Sequence, residues 1–89
     1  MAAHCMAEVR FTTDALVDVA RLTPAVRSRI EAVFTRLGRW PAVSGAKPLS
    51  WTLAGRYRIR TGDYRVQFRV DGTQVIVEKV GHRDRFYEA

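Results

Sequence analysis

Arginine alternates with apolar residues on both sides of a Gly-Asp turn in residues 55–69, GRYRIRTGDYRVQFR. Successive side chains of a β-strand point to opposite faces, so the pattern predicts a hairpin with one apolar face and one arginine face. Five arginines and one aspartate fall within residues 56–69. Guanidinium groups bind phosphate and carboxylate oxygens through paired hydrogen bonds. The residues predicted to share the arginine face are Arg56, Arg58, Arg60, Arg65, Gln67 and Arg69, and an anionic partner is the first hypothesis.

The composition is that of one small folded domain. The chain has 89 residues, of which 47% are hydrophobic and 27% charged, which argues against disorder. Its formal net charge of +6 favours a nucleic acid, an acidic protein or an anionic membrane surface as partner. Thirteen of the fifteen basic residues are arginine. A GC-rich genome would also raise the arginine content, so the position of arginine within the strands is the more specific signal.

The remaining composition excludes several classes of protein. A single cysteine, Cys5, forms no internal disulfide, which fits a reducing cytoplasm. The first ten residues lack the apolar segment of a signal peptide, and no segment approaches a membrane span. Residues 1–6 are interpreted as an N-terminal extension, with Met6 as an alternative start, and 7–89 as a single domain. His4 and Cys5 lack metal-site spacing, so we expect no metal and no cofactor.

The N-terminal half predicts a strand and two helices. Residues 7–12 alternate as a short strand, and a threonine before Asp14 suits the cap of a first helix with Leu16 on its apolar face. Thr23-Pro24 opens a second helix with a single apolar stripe, and Gly38 ends it. We expect the two helices to form an antiparallel hairpin.

The C-terminal half predicts a loop and three strands. Residues 38–50 contain two prolines and two glycines and are expected to form a loop. Strands are predicted at 51–60, 64–70 and 74–81, and the Gly-Asp and Asp-Gly pairs between them are hairpin signals. The predicted order is β-α-α-β-β-β. An antiparallel sheet packed on the helical hairpin, in the α+β class, buries both apolar surfaces.

The order of elements, the segment YRIRTGDYRVQFRV (57–70) and the ending VGHRDRFY (80–87) resemble the RelE/ParE superfamily of bacterial toxins. These proteins are the toxins of type II toxin-antitoxin pairs. The resemblance extends from Val9 to Tyr87, and its specific parts are residues 60–65 and the C-terminal motif. It implies the superfamily's α+β fold and a single toxin domain at 7–89.

The resemblance also implies a site. RelE-like members are RNases that direct a ribose 2′-hydroxyl at the adjacent phosphate of messenger RNA on the ribosome. Their two basic residues before the turn correspond to Arg58 and Arg60, and the one after it to Arg65. The arginine of the C-terminal motif corresponds to Arg83, and the aromatic that stacks on a base to Tyr87. By the alternation, Arg58, Arg60 and Arg65 share one face of the sheet, whereas Arg56 and Arg69 are expected outside the site.

One position departs from the pattern. Where the best-known members have a lysine as base, this chain has Arg60, and a guanidinium stays protonated at any relevant pH. Either Arg60 acts only through its charge or another group takes the proton. His82 is the natural substitute, because the ordinary pKa of histidine lies near neutral pH. The alternative is that His82 ends a strand without a chemical role.

Structural roles are open for the other residues as well. Arg58 and Arg65 could solubilise an exposed face or pair with Asp63 and Glu78. By parity, the residues predicted to be core are Tyr57, Tyr64 and Phe68, whereas Phe86 and Tyr87 are free to stack on a base. Trp40 and Trp51 flank the loop and are expected to pin it to the core.

Three functions remain. The first is a ribosome-dependent messenger RNA endoribonuclease, cytoplasmic and neutralised by a RelB-like antitoxin. The second is a ParE-like inhibitor of DNA gyrase without catalytic activity, and the third is an inactive toxin fold within an antitoxin repressor complex. In each we expect the antitoxin to cover the arginine face or to displace the segment that carries Arg83 and Tyr87.

Overall fold

The computed structural model describes residues 7–50 and 54–86, which form two helices and one five-stranded sheet. In chain order the elements are β1 Glu8–Phe11, α1 Thr13–Ala20, α2 Pro24–Leu37, β2 Lys47–Pro48, β3 Arg56–Thr61, β4 Tyr64–Asp71 and β5 Gln74–His82. This is the α+β architecture predicted from the sequence. The expected extension at 1–6 and the start of the predicted strand, 51–53, lie outside the described residues.

The strand order in the sheet is β1-β5-β4-β3-β2. The pairs β3–β4 and β4–β5 are antiparallel, as predicted, and the unpredicted strand β2 also pairs antiparallel with β3. The pair β1–β5 is parallel, which the sequence reasoning did not anticipate. Two helices follow β1 and carry the chain back across the sheet, so β1 is not bound by the antiparallel geometry of a short hairpin.

Two-residue turns fix the register of the three long strands. Thr61 pairs with Tyr64 across the first turn, and Asp71 pairs with Gln74 across the second. The first turn residue is Gly62 in one and Gly72 in the other, with φ of 59° and 60°. Glycine adopts positive φ without a steric penalty, so both turns hold the register without strain.

The core lies between α2 and the apolar face of the sheet. Its fully buried members include Ile30, Val33 and Leu37 from α2 and Ile59, Val66, Phe68, Val75 and Val77 from the sheet. Trp40 packs edge-on against Tyr57 and Phe68 at ring-centroid distances of 4.8 and 5.4 Å, and therefore ties the loop after α2 to the core. The predicted partner in this role, Trp51, lies outside the described residues.

Helix α1 covers the edge of β5 where β1 ends. The Thr12 hydroxyl donates to the Glu78 carbonyl oxygen at 3.2 Å and accepts from the Ala15 amide at 3.1 Å. One turn later, the Val80 amide donates to Asp18 Oδ2 at 2.9 Å. Side chains of α1 thus satisfy backbone groups that an exposed strand edge would leave open to water or to another chain.

Two local predictions were wrong. Leu16 was expected on the buried face of α1 but is 56% exposed, whereas Ala15 is fully buried, because α1 meets the narrow edge of a strand. The predicted loop contains β2, whose Lys47 pairs with Arg58. Pro48 is tolerated there because proline, which has no N–H, is confined to edge strands.

The link between the helices is held by an arginine that the sequence reasoning did not single out. The Arg27 guanidinium donates to the carbonyl oxygens of Val19, Ala20 and Leu22 at 3.3–3.4 Å. The last carbonyls of a helix lack partners within the helix, so Arg27 of α2 caps the end of α1. In the described part of the chain, no helix is both long and apolar enough to cross a membrane.

Candidate anion-binding site

The register of β2–β5 arranges the basic residues of the sheet in three rows on one face, which we call the arginine face. The first row is Arg60–Arg65–Gly81, the second is Lys47–Arg58–Gln67–Lys79, and the third is Arg56–Arg69–Ile76. The alternation in the sequence predicted the arginine positions. It did not predict that both lysines of the chain would flank Arg58 and Gln67 in the second row, since strand pairing decides that.

The third row contains an internal anion. Glu78 Oε1 accepts from Arg56 Nε at 2.7 Å, and Glu78 Oε2 accepts from Arg69 Nε at 3.3 Å. Gln67 Nε2 lies 3.5 Å from the same Oε1. The Glu78 side chain is only 17% exposed. The sequence reasoning considered Glu78 as a partner for Arg58 or Arg65, but the carboxylate bridges Arg56 and Arg69 instead.

A β-bulge brings Glu78 to this face. Phe68 pairs with Val77 and Gln67 pairs with Lys79, so Glu78 is an extra residue in β5. A bulge re-aims the side chains around it, and here the acidic Glu78 and the basic Lys79 reach the same face. The Thr12 hydroxyl holds the bulge from behind through the Glu78 carbonyl. Alternation alone would have sent one of the two charges into the core.

The first row contains a second pair of directly opposed arginines. Arg60 is exposed and Arg65 is half-buried, and they face each other across β3 and β4. Like charges in direct cross-strand positions destabilise a sheet. In the third row the Glu78 carboxylate contacts both arginines of such a pair. An external anion at the first row would likewise be attracted by both guanidinium groups.

The C-terminal turn lies beside the first row. The Arg83 amide donates to the Asp63 carbonyl oxygen at 2.7 Å, which places Arg83 next to the turn between β3 and β4. Its side chain is 60% exposed, with Nε 3.6 Å from Asp84 Oδ1. Arg83 thus adds a third cation at this end of the sheet. Tyr87, predicted to stack on a base, lies outside the described residues.

Phe86 anchors this turn and is not free to stack, contrary to the sequence-based expectation. Its side chain is buried. Its ring lies beside Gly81, where a Cβ would be 3.6 Å away, and beneath the Lys79 ammonium, 4.7 Å from the ring centroid. A cation over an aromatic face is attracted by the ring quadrupole. Phe86 therefore covers part of the arginine face between its first and second rows.

His82 lies on the other face of the sheet. It pairs with Tyr64, whose ring it meets edge-on at a centroid distance of 5.3 Å, whereas the neighbouring Gly81 pairs with Arg65. The structure thus brings Arg58, Arg60 and Arg65 onto one face and leaves His82 at the same end of the sheet but behind it. His82 Nδ1 accepts from the Asp84 amide at 3.1 Å. The hydrogen bond assigns the neutral ring its proton on Nε2, which makes that nitrogen a donor.

Carboxylates on α1 border the arginine face. Asp14, Asp18 and Arg21 of α1 face Glu78 and Lys79 across an open groove of ≈ 770 Å³. Negative charge along this side disfavours an approaching phosphate.

Among the described residues there is no group of three or more His, Cys, Asp or Glu side chains that could hold a metal ion. His4 and Cys5 lie outside those residues. The arrangement is suited to binding an anion by charge and hydrogen bonding.

Known proteins share this fold and sequence pattern. A family model described as the ParE toxin of the type II toxin-antitoxin system parDE matches residues 9–87. The chain is 40% identical over 82 residues to Toxin RelG of Mycobacterium tuberculosis, covering 89% of this chain and 93% of that protein.

Solved structures agree. The RelBE2 toxin-antitoxin complex of Mycobacterium tuberculosis contains a chain that superposes with a TM-score of 0.77 at 36% identity, over 86% of this chain and 98% of that one. The isolated E. coli RelE toxin superposes with a TM-score of 0.72 at 21% identity, over 85% and 83%, which shows a shared fold. The chain therefore belongs to the ParE toxin family of type II toxin-antitoxin systems, within the RelE/ParE superfamily.

Proposed function

We propose that this toxin is a ribosome-dependent messenger RNA endoribonuclease, and that the Arg60–Arg65 pair binds the phosphate at which the RNA is cut. The observation that carries the proposal is the meeting of three cationic side chains at one end of the sheet, where Arg60 pairs with Arg65 and the Arg83 amide donates to the turn between their strands. On the same face, the opposed pair Arg56 and Arg69 holds the Glu78 carboxylate between its guanidinium groups. The third row is thus an internal example of how such a pair binds an anion.

In this reaction the protein contributes electrostatic stabilisation of the phosphate rather than a covalent bond to the substrate. The ribose 2′-oxygen forms a bond to phosphorus, the bond from phosphorus to the 5′-oxygen breaks, and a 2′,3′-cyclic phosphate remains. One proton leaves the 2′-hydroxyl and one reaches the 5′-oxygen. Arg60 and Arg65 would stabilise the charge on the non-bridging oxygens, and Arg58 would bind a flanking phosphate. Arg83 would approach from the end of the sheet, with Tyr87 stacking on a base.

His82 is our candidate for proton transfer, as an imidazolium that donates to the departing 5′-oxygen. In that form both ring nitrogens carry protons, and Asp84 Oδ2, 3.5 Å from Nδ1, is its ion-pair partner. The ring stands behind the arginine face, so RNA would have to bend around the end of the sheet to meet it. Replacing His82 with glutamine should then lower kcat and leave the affinity for RNA unchanged.

We further propose that a RelB-like antitoxin neutralises the protein by occupying the arginine face. The support is a charge of +6 with seven of the fifteen basic residues on that face, together with solved complexes of related toxins with RelB antitoxins. Acidic side chains of an antitoxin would meet the same guanidinium groups as RNA. Inhibition would then follow from direct competition.

The test is to induce the toxin alone and map the 5′ ends of ribosome-bound messages by primer extension. We expect growth arrest with cuts at the ribosomal A site. Replacing Arg65 or Arg83 with alanine should abolish both, while replacing Arg39, an exposed arginine after α2, should abolish neither. Intact messages with accumulating gyrase–DNA cleavage complexes would instead establish a gyrase inhibitor.

A further inference from the structure

We propose that Glu78 sets the length of the RNA footprint, because its carboxylate occupies the third row and confines bound phosphates to the first and second rows. This inference rests on the proposed function of the arginine face. It assigns to Glu78 a role in determining which part of the substrate the toxin contacts. Glu78 would act through Arg56 and Arg69 and is therefore a positioning residue.

The contacts of Glu78 account for the exclusion. Both oxygens are engaged, Oε1 with Arg56 at 2.7 Å and Oε2 with Arg69 at 3.3 Å, and the side chain is largely buried. The bulge fixes the backbone at Glu78, and Thr12 holds its carbonyl. A phosphate entering the third row would have to displace the Glu78 carboxylate. Because this side chain is already ordered by its contacts, holding it there costs little additional conformational entropy.

The charges around the first and second rows give the footprint a direction. The second row extends from Lys47 at the β2 edge through Arg58 to Lys79. On the other side, α1 presents the carboxylates of Asp14 and Asp18 and the one guanidinium of Arg21, a net negative charge that weakly repels a phosphate chain. The favourable path therefore runs from the end of the sheet, at Arg60 and Arg65, toward the edge formed by β2.

The salt dependence of binding measures this footprint. For single-stranded nucleic acid, each phosphate contact contributes about 0.7 to the slope of log K against log salt. Replacing Glu78 with glutamine frees Arg56 and Arg69 for up to two more phosphates. We therefore expect the slope to steepen by about 0.7–1.4, so that affinity falls about 3- to 7-fold more than in the wild type between 50 and 200 mM salt.

The experiment measures fluorescence anisotropy of the toxin with a 2′-O-methyl RNA oligonucleotide, which cannot be cut, over a salt series. A short inorganic polyphosphate serves as a second probe that lacks bases and sugars. The control Glu31→Gln makes the same charge change on α2, at an exposed position behind the sheet. It should leave the slope unchanged.

A second pair of variants tests the same idea from the arginine side. Arg69→Gln alone should leave the slope nearly unchanged, because Glu78 Oε2 already occupies the position 3.3 Å from Arg69 Nε where a phosphate oxygen would bind. In the Glu78→Gln background the same substitution should remove about 0.7 from the slope. If the Glu78 variant fails to fold, the comparison of the Arg69→Gln single variant with the wild type still tests the proposal.

The outcomes are distinguishable. Equal slopes for wild type and Glu78→Gln with both probes, or a reduced slope for Arg69→Gln alone, would overturn the role of Glu78. If the polyphosphate slope steepens as expected in Glu78→Gln but primer extension on ribosome-bound messages finds no cuts, the third row is confirmed as closed by Glu78 and the proposed RNase function fails.

Discussion

Replacing Arg60 with glutamine should stabilise the fold and weaken the activity at the same time. Arg60 faces Arg65 directly across β3 and β4, so one substitution removes both a repulsion and a proposed phosphate ligand. The two effects have opposite signs because they concern different states. The repulsion acts in the free protein, whereas the phosphate contact acts only when substrate is bound.

The expected stabilisation is small and follows from the pairing. Guanidinium groups on opposed strands, about 6 Å apart, repel each other by about 0.7 kcal/mol in the dielectric of water, and by about half of this at physiological salt. A domain of this size changes its Tm by about 4–8 °C per kcal/mol. We expect the Tm to rise by about 1–5 °C. The loss of one charged hydrogen bond to phosphate, about 1.5–3 kcal/mol, should lower the cleavage rate about 10- to 150-fold.

Arg69→Gln is the matched control, because it makes the same substitution on the same face. Arg69 Nε lies 3.3 Å from Glu78 Oε2. This distance is shorter than the separation expected between the guanidinium groups of Arg69 and Arg56. At these separations the attraction exceeds the repulsion by about 0.6 kcal/mol in water. Since the Arg69 side chain is 40% exposed, the net loss of stability should be no larger than this. Activity should stay within about twofold of wild type.

The assay combines thermal and urea unfolding with cleavage of a defined message on purified ribosomes. Circular dichroism confirms that both variants are folded. The reasoning fails if Arg60→Gln loses stability as Arg69→Gln does, since the two rows would then be electrostatically alike. It fails equally if Arg60→Gln cleaves at the wild-type rate, since the first row would not bind the reacting phosphate.

Two predictions concern the contacts that hold α1 on β5. Thr12→Val should lower the free energy of unfolding in urea by about 2 kcal/mol, because it leaves the buried Ala15 amide without its cap. Thr23→Val, at an exposed cap, should lower it by about 1 kcal/mol or less. Equal losses in the two variants would contradict this prediction. Asp18→Ala should speed hydrogen exchange of the Val80 amide and cost about 1–3 kcal/mol. Unchanged exchange would mean that this hydrogen bond contributes nothing to protection.

The sequence was sufficient to predict much of the fold. Alternation in a strand has a period of two, so residues 55–69 predicted which side chains share a face, and the strand pairing agrees. Thr23-Pro24 and Gly38 predicted the limits of α2 because they satisfy or end helical hydrogen bonds locally. The family resemblance rested on the same segments and is confirmed by the matches to known toxins.

The candidate site was only partly predictable, because its charges are sorted by contacts between distant segments. Arg56 and Arg60 are equivalent in the alternating pattern, and only the bulge in β5, which brings Glu78 to Arg56, separates their roles. The departure at Arg60 predicts His82 as the substitute base of the arginine site. Its pairing with Tyr64 turns it to the opposite face.

Local sequence patterns thus determined the arginine face itself. Strand periodicity and turn residues act within a few positions of one another, and they can therefore be recognised in the sequence. Tertiary structure alone decided which arginines bind the Glu78 carboxylate. That choice depends on the register between β4 and β5, on the extra residue at Glu78, and on the Thr12 hydrogen bond that spans 66 residues. Neither of two distant segments shows such a contact in its own sequence, because the contact forms only when folding brings both segments together.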